Sequence, residues 1–185
     1  NALGSLGIAY RSLGDFERAV QYHLRHLKIA EEVRDKHGEG GAYGNLGNAY
    51  YSLGDFKRAI DYHNRHLNIA KEVGDKHWEG NAHGNLGNAY YSLGDFIKAI
   101  ECHNLHLKIA EQVGDEHGKG GAFGNLGNAY YSLGDFMKAI EYHERHLYIA
   151  KNIGDRHGEG NALGSLGIAY RSLGDFERAV QYHLR

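Results

Sequence analysis

From residue 41 onward the apolar side chains fall at a helical spacing. On a wheel of about 100° per residue with Leu46 as origin, Ala42, Tyr43, Ala49, Tyr50 and Leu53 lie within about 60° of it. Gly41, Gly44, Asn45, Asn48, Tyr51 and Ser52 take the other side. This predicts a first amphipathic helix whose polar face is Asn, Gly, Ser and Tyr rather than charge. Gly54 suits its C-terminal stop, and Asp55 suits the N-cap of a second helix. On that second helix Phe56, Ala59, Ile60, Tyr62, His63, His66, Leu67, Ile69, Ala70 and Val73 cover about half the circumference. An apolar face that wide packs against more than one neighbour. Gly74-Asp75 repeats the stop and the cap. Links of about two residues force successive helices to run antiparallel.

The pair recurs every forty residues. The run GNLGNAYYSLGDF occupies residues 44–56, 84–96 and 124–136, and variants of it occupy 4–16 and 164–176. A period in this range predicts an all-α fold, a right-handed α-solenoid (superhelix) of antiparallel helix pairs. One array over 1–185 is expected, with repeats 1–40, 41–80, 81–120, 121–160 and the partial 161–185. Gly38, Gly40, Gly41, Gly44 and Gly47 crowd the first helix, and each mid-helix glycine costs about 0.8–1 kcal/mol against Ala. That helix is weak alone and must be held by neighbours that approach it closely. Residues 1–25 and 161–185 are identical, so a 160-residue period overlies the 40-residue one.

Composition narrows the function. Lys and Arg number 21 against 23 Asp and Glu, a net charge of −2 with the signs mixed along the chain. No basic stripe points to nucleic acid, and no apolar run approaches the length of a membrane span. Cys102 is the only cysteine, standing where Tyr22, Tyr62, Tyr142 and Tyr182 stand elsewhere, which rules out an internal disulfide and fits a reducing, cytoplasmic setting. The absence of proline suits nearly continuous helix.

The pattern resembles the tetratricopeptide repeat family, whose signature runs W-x2-L-G-x2-Y, then A-x3-F, then P. Here Leu3, Leu6, Gly7 and Tyr10 open it, and Tyr43, His83, Phe123 and Leu163 fill the first slot later. The small slot holds Ala19, Ala59, Ala99, Ala139 and Ala179. The later aromatic slot departs from the family, holding His23, His63, His103, His143 and His183, and the final Pro is missing. The forty-residue length and the Leu-Gly-Asn runs look like the Pins/LGN subgroup of spindle-orientation scaffolds and related signalling arrays. The resemblance implies that first helices line a concave groove that binds extended peptides or helical segments. It places Asn45, Asn48, Tyr51, Ser52, Asn85, Asn88, Tyr91, Ser92, Asn125, Asn128, Tyr131 and Ser132 in that groove. A carboxamide both donates and accepts, which suits a peptide backbone. At the ends Ser5, Ile8 and Arg11, and again Ser165, Ile168 and Arg171, replace the Asn-Asn-Tyr set, and the arginines suit an acidic partner side chain. The tyrosines serve either as groove contacts or as packing between neighbouring first helices.

Fourteen histidines raise the question of metal. The pairs His23/His26, His63/His66, His103/His106 and His143/His146 stand at i, i+3, but no carboxylate or cysteine accompanies them in a fixed pattern and no HExxH occurs. Both members lie inside the apolar arc. They are read as packed neutral rings whose nitrogens bond nearby groups. His37, His77, His117 and His157 form a third column one turn before the groove, placed to touch a ligand or cap a helix, and Trp78, in place of the Gly at 38, 118 and 158, is read as a local surface contact. No nucleophile elbow or phosphate loop occurs; GNLGNA lies inside a helix with no strand before it. The expected role is a non-catalytic scaffold with a protein or peptide partner and no cofactor. The alternatives are an array that self-associates head to tail into a filament, and the sensor arm of a larger signalling ATPase or G-protein regulator.

Overall fold

The structure is a computed structural model and describes residues 2–185. Among the described residues it has ten α-helices and no strand. They are α1 (Ala2–Ser12), α2 (Phe16–Val33), α3 (Lys36–Ser52), α4 (Phe56–Val73), α5 (Lys76–Ser92), α6 (Phe96–Val113), α7 (Glu116–Ser132), α8 (Phe136–Ile153), α9 (Arg156–Leu173) and α10 (Phe176–His183).

Aspartate starts every helix from α2 to α10. The Asp55 side chain accepts from the Arg58 N–H at 2.9 Å, and Asp75 does the same for Trp78. Each such bond satisfies one of the donors a helix start leaves without a partner. Glycine in the left-handed region ends α4, α6 and α8, as at Gly74 with φ 74°. At the end of α2 the same conformation falls on Arg34 with φ 56°, where a side chain is strained.

The helices gather into two compact units, Asn1–Leu93 and Gly94–Arg185. Within each, a helix packs on the next across a link of two or three residues, so pairs stack antiparallel as the sequence predicts. In unit one the core joins Ala19, Leu27, Ala42, Leu46, Ala49, Tyr50 and Ala59. In unit two it joins Ile140, Leu147, Ala162, Leu166, Ala169 and Tyr170. Leu46, Leu126 and Leu166 are wholly buried, each contributing about 1.5–3 kcal/mol. First helices also touch one another, α1 with α3, α3 with α5 and α7 with α9. Second helices within a unit do not, so in each unit the first helices hold the tighter side.

Candidate peptide groove and its histidine floor

Within each unit, α1, α3, α7 and α9 lie against imidazole rings from the helix that follows. Gly47 faces the His63 ring and Gly44 the His66 ring. A methyl built on Gly127 would sit 2.6 Å from His143 Cε1, and one on Gly124 3.0 Å from His146 Nδ1. Gly7 with His23, Gly4 with His26 and Gly167 with His183 repeat the arrangement. Two columns that look unrelated in sequence are therefore one contact, glycine below and imidazole above. This corrects the helical wheel at Gly44, which is buried under a ring rather than turned to the polar side.

The rings are buried as expected, with His23, His63, His103 and His143 at 2% exposure or less. Burial pushes all four imidazoles down to about 4, and the neighbouring His26, His66, His106 and His146 add to the shift. Those neighbours are themselves lowered, again mainly by burial. The expectation that the nitrogens would bond nearby groups fails at Nδ1 and, for His23, at Nε2 as well. Nδ1 of His23, His26, His63, His66, His103, His106 and His143 finds no hydrogen-bond partner among the described residues. The ring is held by its faces, because the helices come too close to admit a polar partner. Among the described residues no three His, Cys, Asp or Glu side chains converge as metal ligands.

Above this floor stands the carboxamide ladder. Asn45, Asn48, Asn85, Asn88 and Asn125 are half-buried and Asn128 is exposed. None of the six side chains makes a hydrogen bond to another described residue. In unit one Asn45, Asn48, Asn81 and Asn85 border a hollow of about 340 Å³ with His66 and Trp78. In unit two Asn125 and Asn161 border a hollow of about 420 Å³.

Tyr51 and Tyr131 tie neighbouring first helices together while staying in reach of solvent. The Tyr51 hydroxyl meets Ser92 Oγ at 3.0 Å, and Tyr131 meets Ser172 Oγ at 2.9 Å. Each ties one first helix to the next. Tyr91 is exposed on the same helix position. Arg11 and Arg171 lie in the last turns of α1 and α9, with Ile8 and Ile168 exposed one turn earlier.

The wheel does not reveal a second set of aromatic contacts. Tyr50 and Tyr62 stack at 5.3 Å with Arg58 over Tyr50 at 4.4 Å; Tyr130 and Tyr142 stack equally with Lys138 and Arg145 over them. Each stack clamps a first helix to its second. The signal in the sequence is a Tyr pair twelve residues apart with a cation four before and three after the second ring. Cys102 stands in one of those slots; burial, then Glu101 and Asp95, push its thiol up to about 11, so it stays a protonated, unreactive group at neutral pH.

Fold and ladder define a helical repeat protein. The tetratricopeptide repeat profile matches residues 1–72, 38–112 and 120–185. The chain belongs to the tetratricopeptide repeat family, whose members generally act as protein-interaction scaffolds. No curated protein sequence matches it. Among solved structures it is similar to BtubC from P. vanneervenii, with 25% identity and a TM-score of 0.87 over 97% of this chain and 75% of that one. The signal transduction ATPase with a tetratricopeptide repeat sensor from Pyrococcus horikoshii shares 23% identity at a TM-score of 0.88, over 99% of this chain and 29% of that one. Nearly identical kinesin light chain TPR-like repeats from Podosopora anserina share 18% at 0.84, over 99% and 90%. The last two likenesses carry the fold alone. No helix among the described residues is long and apolar enough to cross a membrane.

Proposed function

We propose that the chain is a non-catalytic scaffold that binds a partner peptide along the first-helix face, through Asn45, Asn48, Asn85, Asn88, Asn125 and Asn128. The observation that carries this reading is the hydrogen-bonding capacity left unspent on that face. Lys or Glu would solvate a helix with better propensity, so six asparagines there cost stability that solvation does not require. A peptide backbone offers both donors and acceptors to match them. Tyr51, Tyr91 and Tyr131 border this path, and Arg11 and Arg171 are placed to meet an acidic side chain where the ladder changes. The five repeat segments act as one array in this reading, and the forty-residue period with its Leu-Gly-Asn runs supports the Pins/LGN-like subgroup.

The test is a peptide selected by display against the unaltered chain. Asn85→Ala with Asn88→Ala is expected to weaken its binding roughly tenfold, the worth of two hydrogen bonds. The same change should leave the helices at least as stable, because Ala is the better helix former. Unchanged affinity would remove the ladder from the site.

A second reading, end-to-end stacking, is favoured by one observation. Residues 161–185 repeat residues 1–25 letter for letter, so the last repeat carries the face that the first presents to its successor. A second copy would cover that face. Light scattering that rises with concentration supports stacking, and a monomer at high concentration excludes it.

A further inference from the structure

We propose that the hollow of unit two receives a planar aromatic side chain, an indole above all, carried by the partner peptide. The proposal rests on the reading that the first-helix face takes a peptide. Its starting point is the chain's only tryptophan, because unit one already shows such a ring in place.

Trp78 stands in the first turn of α5. Its indole meets the edges of His37 and His66, each at 5.4 Å between ring centres. It lies over Gly40, where a methyl would collide with the indole and would also sit 3.0 Å from Ile69 Cγ2. Imidazole edges on either side, a glycine beneath and an isoleucine methyl beside it thus make up the seat. Edge-to-face contacts of this kind favour an aromatic ring over an aliphatic chain of equal volume.

Eighty residues further on, the four groups are His117, Gly120, His146 and Ile149. All four line the hollow of about 420 Å³ in unit two. A methyl on Gly120 would meet Ile149 Cγ2 at 3.2 Å and His146 Cδ2 at 3.8 Å, so the floor and wall are as in unit one. The residue corresponding to Trp78 is Gly158, which also lines the hollow and contributes no ring. Unit two keeps the seat and lacks the occupant. The entrance is open, since His117 is largely exposed; Asn125 on the rim can hold the peptide backbone, while the Asn161 amide already meets His157 Nδ1 at 3.2 Å.

The experiment is calorimetry on the full chain with end-capped Gly-Gly-Trp-Gly-Gly and its Trp→Ala form. The expected result is one site for the tryptophan peptide and at least roughly tenfold weaker binding of the alanine peptide, the worth of burying one ring. Gly158→Trp should fill the seat from within, as Trp78 does, and abolish binding while the melting temperature holds or rises. Trp78→Gly should open a second site and raise the stoichiometry to two; if that variant does not fold, Gly158→Trp still decides. Equal affinity for the two peptides, no binding at millimolar concentration, or undiminished binding by Gly158→Trp overturns the proposal. Asn125→Ala with Asn128→Ala separates the two readings. Retained binding of the tryptophan peptide by that variant supports the seat and shows that Asn125 and Asn128 do not hold its backbone. Loss of discrimination between the two peptides, with the ladder still required, overturns the seat and leaves the ladder standing.

Discussion

Lowering the pH from 7 to 5 is expected to destabilise both units steeply. His23, His63, His103 and His143 are buried and neutral, with imidazoles lowered from 6.5 to about 4. The unfolded chain binds protons at these sites below pH 6.5, and the folded chain does not until about pH 4. The stability they carry is whole above 6.5 and drains away as the pH falls through that window. One unit below 6.5, each site has lost about 1.4 kcal/mol, so four lose about 5–6 kcal/mol. A domain's whole stability is about 5–15 kcal/mol. His26, His66, His106 and His146, lowered in the same direction, steepen the loss. Urea titrations followed by circular dichroism at stepped pH measure it. His143→Phe, which restores the aromatic residue of the repeat signature, should flatten the profile by about one proton's share, 1.4 kcal/mol per pH unit. A stability unchanged between pH 7 and 5 would contradict buried neutral rings.

Two glycines on one helix respond oppositely to the same change. Around Gly121 a methyl meets nothing within 4 Å, and the position is exposed. Gly121→Ala should stabilise by about 0.8–1 kcal/mol through helix propensity alone. At Gly127 a methyl would lie 2.6–2.7 Å from three atoms of the His143 ring. That ring is 2% exposed and has nowhere to go, and overpacking of this kind costs about 1–3 kcal/mol. Gly127→Ala should therefore be neutral to destabilising by about 2 kcal/mol despite the gain in propensity. Chemical denaturation of the two single variants gives the sign. In the background of His143→Ala the clash is gone, and Gly127→Ala should turn favourable. Stabilisation by both single variants would show that the ring does not rest on the glycine.

Much of this was legible in the chain. The forty-residue period, the Gly-Asp stops and the aspartate caps place α3 to α9 to within a residue or two, because those signals are local. Burial of Leu46, Ala49 and Tyr50 follows from the wheel in the same way. The pairing of Gly44 with His66 and of Gly47 with His63 did not, since it joins positions on two helices that a single wheel cannot relate. The unsatisfied Nδ1 atoms were missed for the same reason: only the closeness of the helices excludes a partner. Trp78 read as a surface contact because its seat is made by His37 and Gly40 on α3 and His66 and Ile69 on α4, residues scattered over thirty-three positions. The ladder of asparagines was visible in sequence, but its lack of internal partners became visible only with the side chains in place.

On the proposed function, the first-helix carboxamides read the partner. Side-chain amide resonances of selectively labelled asparagine test it most directly, recorded as a display-selected peptide is added. The resonances of Asn45, Asn48, Asn85 and Asn88 should move together and saturate with the peptide, while Asn64 and Asn68, exposed on α4, stay still. Saturating shifts at Asn64 and Asn68 with the ladder unmoved would place the partner on the second helices and contradict it.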